Sequence, residues 1–128
     1  MSGKAMAKIL IVDDDKSARD VFSTAIESLG HCAINAANGT MAWATLNANT
    51  DIAFIVSDLS MPEMDGHELI KLIRQDTRFS SIPILIVSGA IRAKEIVNLL
   101  EQGATCFMAK PVDLNEMMDM IKKHFQQT

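Results

Sequence analysis

The stretch KILIVDDD, residues 8–15, decides the fold. Four consecutive aliphatic residues, Ile9 to Val12, give way without transition to Asp13, Asp14 and Asp15. A short run that is apolar at every position suits a strand covered on both faces, the condition of a parallel sheet flanked by helices. Working outward, the same pattern recurs. Ala53–Val56 ends in Ser57 and Asp58, Ile84–Val87 ends in Ser88 and Gly89, and Cys106–Ala109 ends in Lys110 and Pro111. A weaker run, Cys32–Ala36, precedes Asn38-Gly39.

The segments between these runs carry helical spacing. Ala18, Val21, Phe22, Ala25, Ile26 and Leu29 form one stripe, with Gly30 as the stop. Ala42, Trp43 and Leu46 share a face of a shorter helix over residues 39–47. Leu69, Ile70 and Ile73 form a third stripe, and Ala93, Ile96, Val97 and Leu100 a fourth, closed by Gly103. Leu114, Met117, Met118, Ile121 and Phe125 form the last. Asp65 with Glu68, and Asp113 with Glu116, have capping-box spacing. The result is five strand–helix units. Strict alternation implies an α/β fold with a parallel sheet, right-handed crossovers and helices on both faces.

With 128 residues the chain fits one domain, and 48% apolar residues supply an ample core. Twelve Lys and Arg against 16 Asp and Glu give a net charge of −4. That balance argues against direct nucleic-acid binding and against a polybasic membrane anchor. No apolar run approaches the ~18 residues of a membrane span, and MSGKAMAK lacks the apolar core of a secretory signal. Cys32 and Cys106 have no metal-ligand spacing and read as buried, reduced thiols of a cytoplasmic protein.

In such sheets ligands sit beyond the carboxyl ends of the strands. Here those ends carry acids after the first run, Asp58 after the third, Ser88 after the fourth and Lys110 after the fifth. Clustered carboxylates repel each other and are tolerated where a cation neutralises them. An incomplete cage of oxygen ligands suits Mg²⁺, which also binds phosphate oxygens. Lys110 supplies a point charge and Ser88 a hydroxyl, both fitted to a phosphoryl group. One carboxylate left to attack is a nucleophile able to form an aspartyl phosphate.

These residues carry a resemblance. KILIVDDD at 8–15, VSDLSMPEMDG at 56–66, PILIVSG at 83–89 and GATCFMAKP at 103–111 are similar to the receiver domain of bacterial response regulators, the partners of sensor histidine kinases. The likeness runs from Lys8 to Phe125, leaving residues 1–7 as an N-terminal extension and 126–128 as a C-terminal tail. It implies a flavodoxin-like (βα)5 three-layer sandwich with strand order 2-1-3-4-5, an order that alternation alone does not select. Carried over by position, it makes Asp58 the phosphoacceptor, Asp14 the direct metal-binding acid and Asp13 a neighbour acting through water. The backbone carbonyl of Ser60 becomes a further ligand of Mg²⁺, with Mn²⁺ as the alternative ion. Lys110 pairs with the phosphoryl oxygens, Ser88 bonds one of them, and the Lys110-Pro111 peptide is expected to be cis.

The resemblance also implies a switch pair, Ser88 and Phe107, and two positions that tune dephosphorylation, Ser60 and Ala90. The family often has Tyr at the Phe107 position. This chain has no Tyr, so the ring is kept and the hydroxyl lost. Ala90 has no polar side-chain atom to assist water. The implied partners are a sensor histidine kinase or a histidine phosphotransfer protein, and a downstream protein. The latter would meet a face of the fourth helix, fifth strand and fifth helix, near residues 92–102, 106–109 and 115–123. A homodimer is compatible with this picture. The protein would not be a conventional enzyme, although it would catalyse its own Mg²⁺-dependent phosphorylation and slow dephosphorylation. It reads as a stand-alone regulator or a piece of a larger one.

Other readings are plainer. Asp15 fits a solvated helix-start acid, and Pro62 and Gly66 fit loop and turn roles. His31, His67 and His124 fit surface or loop positions, and Trp43 a packing role. Met120 lies off the last stripe and reads as a partly covered side chain. On the implied strand order the cysteines occupy opposite edges, which excludes a disulfide between them. Two alternative functions stand beside the leading one. A pseudo-receiver used only as a scaffold has no need of a complete acid cluster. A phosphatase with its nucleophile after the first strand is at odds with Lys16-Ser17, which departs from the haloacid dehalogenase pattern.

Overall fold

The computed structural model describes residues 6–89 and 91–126. Five strands alternate with five helices. In chain order they are β1 (Lys8–Val12), α1 (Lys16–Ser28), β2 (Cys32–Ala36), α2 (Gly39–Ala48), β3 (Ile52–Asp58), α3 (Gly66–Gln75), β4 (Ile84–Ser88), α4 (Ala93–Gln102), β5 (Cys106–Ala109) and α5 (Leu114–Gln126). The sheet is parallel throughout, in the order β2-β1-β3-β4-β5. The flavodoxin-like order expected from the resemblance is therefore the observed one.

Period-two alternation splits each strand between two layers. Leu10, Val12, Ile55, Ile84 and Ile86 pack with Ala42 and Leu46 of α2, Leu69, Ile70 and Ile73 of α3, and Leu99 of α4. Ile9, Ile11, Phe54, Val56, Leu85 and Val87 pack with Phe22, Ala25 and Ile26 of α1 and with Met117 and Ile121 of α5. Each buried aliphatic contributes about 1.5–3 kcal/mol, so strands apolar at every position bind both helical layers to one sheet. Two helix starts follow the expected chemistry in full. Asp15 caps α1 by accepting from the Ser17 N–H, and Asp65 with Glu68 forms the capping box of α3.

Three expectations need correction. The stripe proposed for α4 is out of phase: Leu99 is its buried residue, while Val97 and Leu100 are 53% and 44% exposed. Ile96, Val97, Leu99 and Leu100 make two overlapping stripes, and helical spacing cannot choose between them; packing against α3 does. Val21 of α1, 47% exposed, likewise falls outside the covered face. The cysteines are free but only half-buried, because β2 and β5 are edge strands. They do lie on opposite edges, as expected. The histidines do occupy partly exposed surface or loop positions, and each has a partner there. The rings of His31 and His124 each pack 4.8 Å from that of Phe125, and His67, on α3, bonds Gln102. Met120 is partly covered, with its sulfur 3.3 Å from the Cys106 thiol.

Candidate functional site

The carboxyl ends of β1, β3, β4 and β5 converge on one acidic cluster. Asp13 directly follows β1 and is 1% exposed. Its N–H donates to the Ala36 carbonyl at 3.1 Å, extending the β1–β2 pairing by one step. Its Oδ1 accepts from the Asp15 N–H at 2.9 Å, and its own carbonyl accepts from Arg19 Nη1 at 2.7 Å. Asp58 is the last residue of β3, with only 7% exposure, and its Oδ1 accepts from the Leu59 N–H at 2.8 Å. The turn after it is tight. A Cβ on Gly66 would stand 3.0 Å from the Asp58 carbonyl oxygen and from Leu59 Cα, so the first residue of α3 must be small.

Lys110 enters from the end of β5. Its N–H donates to the Ser88 carbonyl at 2.9 Å, which ties it to the end of β4, and the Lys110-Pro111 peptide is cis. Its Nζ lies 3.3 Å from Asp13 Oδ2 and 3.4 Å from Asp58 Oδ1. One ammonium thus serves two buried carboxylates. Asp14 is exposed, yet it offers a carboxylate oxygen within 4.8 Å of oxygens from Asp13 and Asp58. Three acids share the cluster, and the ammonium pairs with two of them.

The protonation equilibria reflect burial and the closeness of Asp13, Asp58 and Lys110. Burial, then the negative charge of Asp13, push the Asp58 carboxyl above its ordinary value; Lys110 and the Leu59 N–H pull the other way and do not fully offset them. Burial pulls the Lys110 ammonium down, but Asp58 and Asp13 outweigh it and hold the group above its ordinary value. Three hard oxygen donors with no sulfur or imidazole among them form a set fitted to a divalent cation of the Mg²⁺ type.

The structure therefore brings together Asp13, Asp14, Asp58 and Lys110, with Ser88, 6% exposed, bonded through its carbonyl to Lys110. Ser60 is exposed on the loop two residues beyond Asp58. Phe107 is half-buried and packs with the α2–α3–α4 layer. Ala90 lies outside the described residues. Sequence reasoning missed Arg19, and its only signal is a basic residue one helical turn past the acids.

These ends of a doubly wound sheet, carrying three acids and a lysine, define a class: an α/β domain with a cation- and phosphoryl-compatible site. The chain belongs to the response regulator receiver domain family, whose model matches residues 9–122. It is 34% identical over 105 residues to the chemotaxis protein CheY1 of Helicobacter pylori, covering 81% of this chain and 85% of that one. It is 31% identical to the response regulator protein FleR of Pseudomonas aeruginosa, covering 92% of this chain but 24% of the relative. A crystal structure of a response regulator receiver protein from Pseudomonas putida superposes with a TM-score of 0.87 at 30% identity, covering 94% and 98% of the two chains. Chemotaxis response regulator CheY4 of Vibrio cholerae gives 0.86 at 28% identity, over 93% and 98%.

Receiver domains of two-component systems work with histidine kinases and downstream targets, typically bind Mg²⁺, and are not conventional enzymes. Among the described residues no helix is long and apolar enough to cross a membrane.

Proposed function

We propose that this receiver domain accepts a phosphoryl group on Asp58 from a phosphohistidine of a sensor kinase or histidine phosphotransfer protein. The observation that carries the reading is the Lys110 ammonium shared between buried Asp13 and buried Asp58. A structural ion pair has no need of a second and third acid, whereas a site that gains a cation and then a phosphoryl group does. Asp13, Asp14 and Asp58 would hold the cation, joined by the Ser60 carbonyl. Bound Mg²⁺, or Mn²⁺ in its place, would neutralise the acids and the phosphoryl oxygens.

The residues then divide the work. An Asp58 carboxylate oxygen forms the new P–O bond as the partner's P–N bond breaks in line. The Leu59 N–H fixes the orientation of that carboxylate. Lys110 is positioned to follow charge onto the phosphoryl oxygens, and the Ser88 hydroxyl to bond one of them. Catalysis is positioning and charge neutralisation, with no further covalent step. Ser88 and Phe107 couple the site to the face of α4, β5 and α5, and the exposed Val97 and Leu100 there support a protein target. Ser60 and Ala90 set how readily water removes the phosphoryl group. The receiver unit is assigned to residues 8–125.

Incubation with Mg²⁺ and acetyl phosphate, followed by intact-mass measurement, tests this. One Mg²⁺-dependent phosphoryl adduct, lost in Asp58→Ala, is the expected outcome. No adduct with any donor indicates a scaffold, and an adduct dependent on Asp13 as the acceptor indicates phosphatase-like chemistry.

A further inference from the structure

Asp13 is restrained at each of its polar groups. Its N–H, its carbonyl and both carboxylate oxygens are engaged, by Ala36, Arg19, Asp15 and Lys110 respectively. Three of these partners follow from the sheet and the cluster itself. Arg19 does not. It sits in the second turn of α1, half-buried, and reaches back over six residues to the Asp13 carbonyl at 2.7 Å. Its own N–H closes the first helical bond of α1 on the Asp15 carbonyl at 3.1 Å. The turn that carries Asp13, Asp14 and Asp15 is thereby pinned from both ends. Arg19 makes no ion pair among the described residues, although acids surround it in sequence. Its guanidinium is committed to a backbone oxygen.

We propose that Arg19 is a positioning residue for the divalent-cation site, clamping the Asp13 carbonyl and so setting where the Asp13 and Asp14 carboxylates stand. The inference rests on the cation-dependent receiver reading given above. It deepens that reading because Arg19 touches neither the cation nor the phosphoryl group and acts through the turn. Groups that orient metal ligands typically alter affinity by about 10- to 100-fold when removed.

Charge and geometry make opposite predictions at this position. A cation placed near a cation site opposes binding, so on charge alone Arg19→Met tightens Mg²⁺ binding. If Arg19 acts as a clamp, the same substitution weakens it. Geometry also discriminates between ions. Mg²⁺ demands near-ideal octahedral ligands, while Ca²⁺ tolerates irregular cages. Loss of the clamp therefore weakens Mg²⁺ more than Ca²⁺, whereas general destabilisation weakens both alike.

The test is calorimetric titration of wild type and Arg19→Met with Mg²⁺ and with Ca²⁺, each alone, alongside melting in EDTA. Lys16→Met, which removes an exposed charge from the same helix, is the charge control. The clamp predicts Mg²⁺ affinity lower by about 10-fold in Arg19→Met, with Ca²⁺ affected less, and no weakening in Lys16→Met. Unchanged or tighter Mg²⁺ binding in Arg19→Met overturns the clamp alone. Equal loss for both ions with a lowered melting point overturns it as well, in favour of a purely structural role. Wild-type protein that binds neither ion overturns the cation reading and the clamp with it.

Discussion

Asp58→Asn is expected to stabilise the cation-free protein, even though it removes a buried hydrogen-bonded side chain. The Coulomb terms nearly cancel. At an effective dielectric constant of about 20, Asp58 and Asp13, with carboxylate oxygens within 4.8 Å of each other, repel by about 3.5 kcal/mol or somewhat more, and the exposed Asp14 adds a smaller, solvent-screened repulsion. Attraction to Lys110 at 3.4 Å returns about 4.9 kcal/mol. Water screens the exposed Asp14 and part of Lys110, so the sum is small. Desolvation of a carboxylate on a side chain only 10% exposed is left uncompensated, in line with burial being the leading cause of its raised pKa.

Asparagine keeps the acceptor for the Leu59 N–H and leaves Lys110 to Asp13. A net gain of about 1–2 kcal/mol follows, or about 4–7 °C in melting temperature for a domain of this size. The assay is thermal unfolding in EDTA at neutral pH. The advantage should fade on acidification. The folded protein holds the Asp58 proton more tightly than the unfolded chain, so wild type gains relative stability as pH falls through the folded value towards the ordinary one near ~3.9. Excess Mg²⁺ should reverse the order, since only wild type retains the full ligand set. At 100 times the dissociation constant the ion adds about 2.7 kcal/mol. An Asn variant that melts at or below wild type in EDTA would mean that the Asp58 charge does not destabilise the cation-free fold.

Three further outcomes follow from the same geometry. Lys110→Met leaves Asp13 and Asp58 buried without a counter-ion, and urea unfolding in EDTA should show a loss of about 1–3 kcal/mol, largely restored by adding Asp58→Asn. Leu99→Ala removes the buried anchor of α4 at a cost of about 2–4 kcal/mol, and hydrogen exchange should rise in residues 93–102 before the rest of the domain. Gly66→Ala forces the start of α3 away from the Asp58 carbonyl, lowering stability by about 1–3 kcal/mol and slowing adduct formation from acetyl phosphate.

The strands were the most legible part of the chain, because burial on both faces writes itself as uninterrupted apolar runs that stop at the site. Cys32–Ala36 and Cys106–Ala109 have the bounds read from sequence, while β3 extends further at both ends because Ile52, Ser57 and Asp58 still pair with β1 or β4. Strand order was not contained in the alternation and came from the motif resemblance. The convergence of Asp13, Asp58 and Lys110 was legible because strand ends of a parallel sheet face one edge. The α4 phase was not, since a helix with four closely spaced aliphatics presents two apolar faces and only its neighbours choose one. Arg19 was invisible for a different reason. A bond from an arginine to a backbone carbonyl has no partner residue type to search for.

The most direct measurement locates the phosphoryl group. Protein treated with acetyl phosphate and Mg²⁺ can be reduced with borohydride, which converts an acyl phosphate to a primary alcohol, and then digested for tandem mass spectrometry. Homoserine is expected at position 58, in wild type and only with Mg²⁺. Reduction products at Asp13 or Asp14, or none at any aspartate, would contradict Asp58 as the phosphoacceptor.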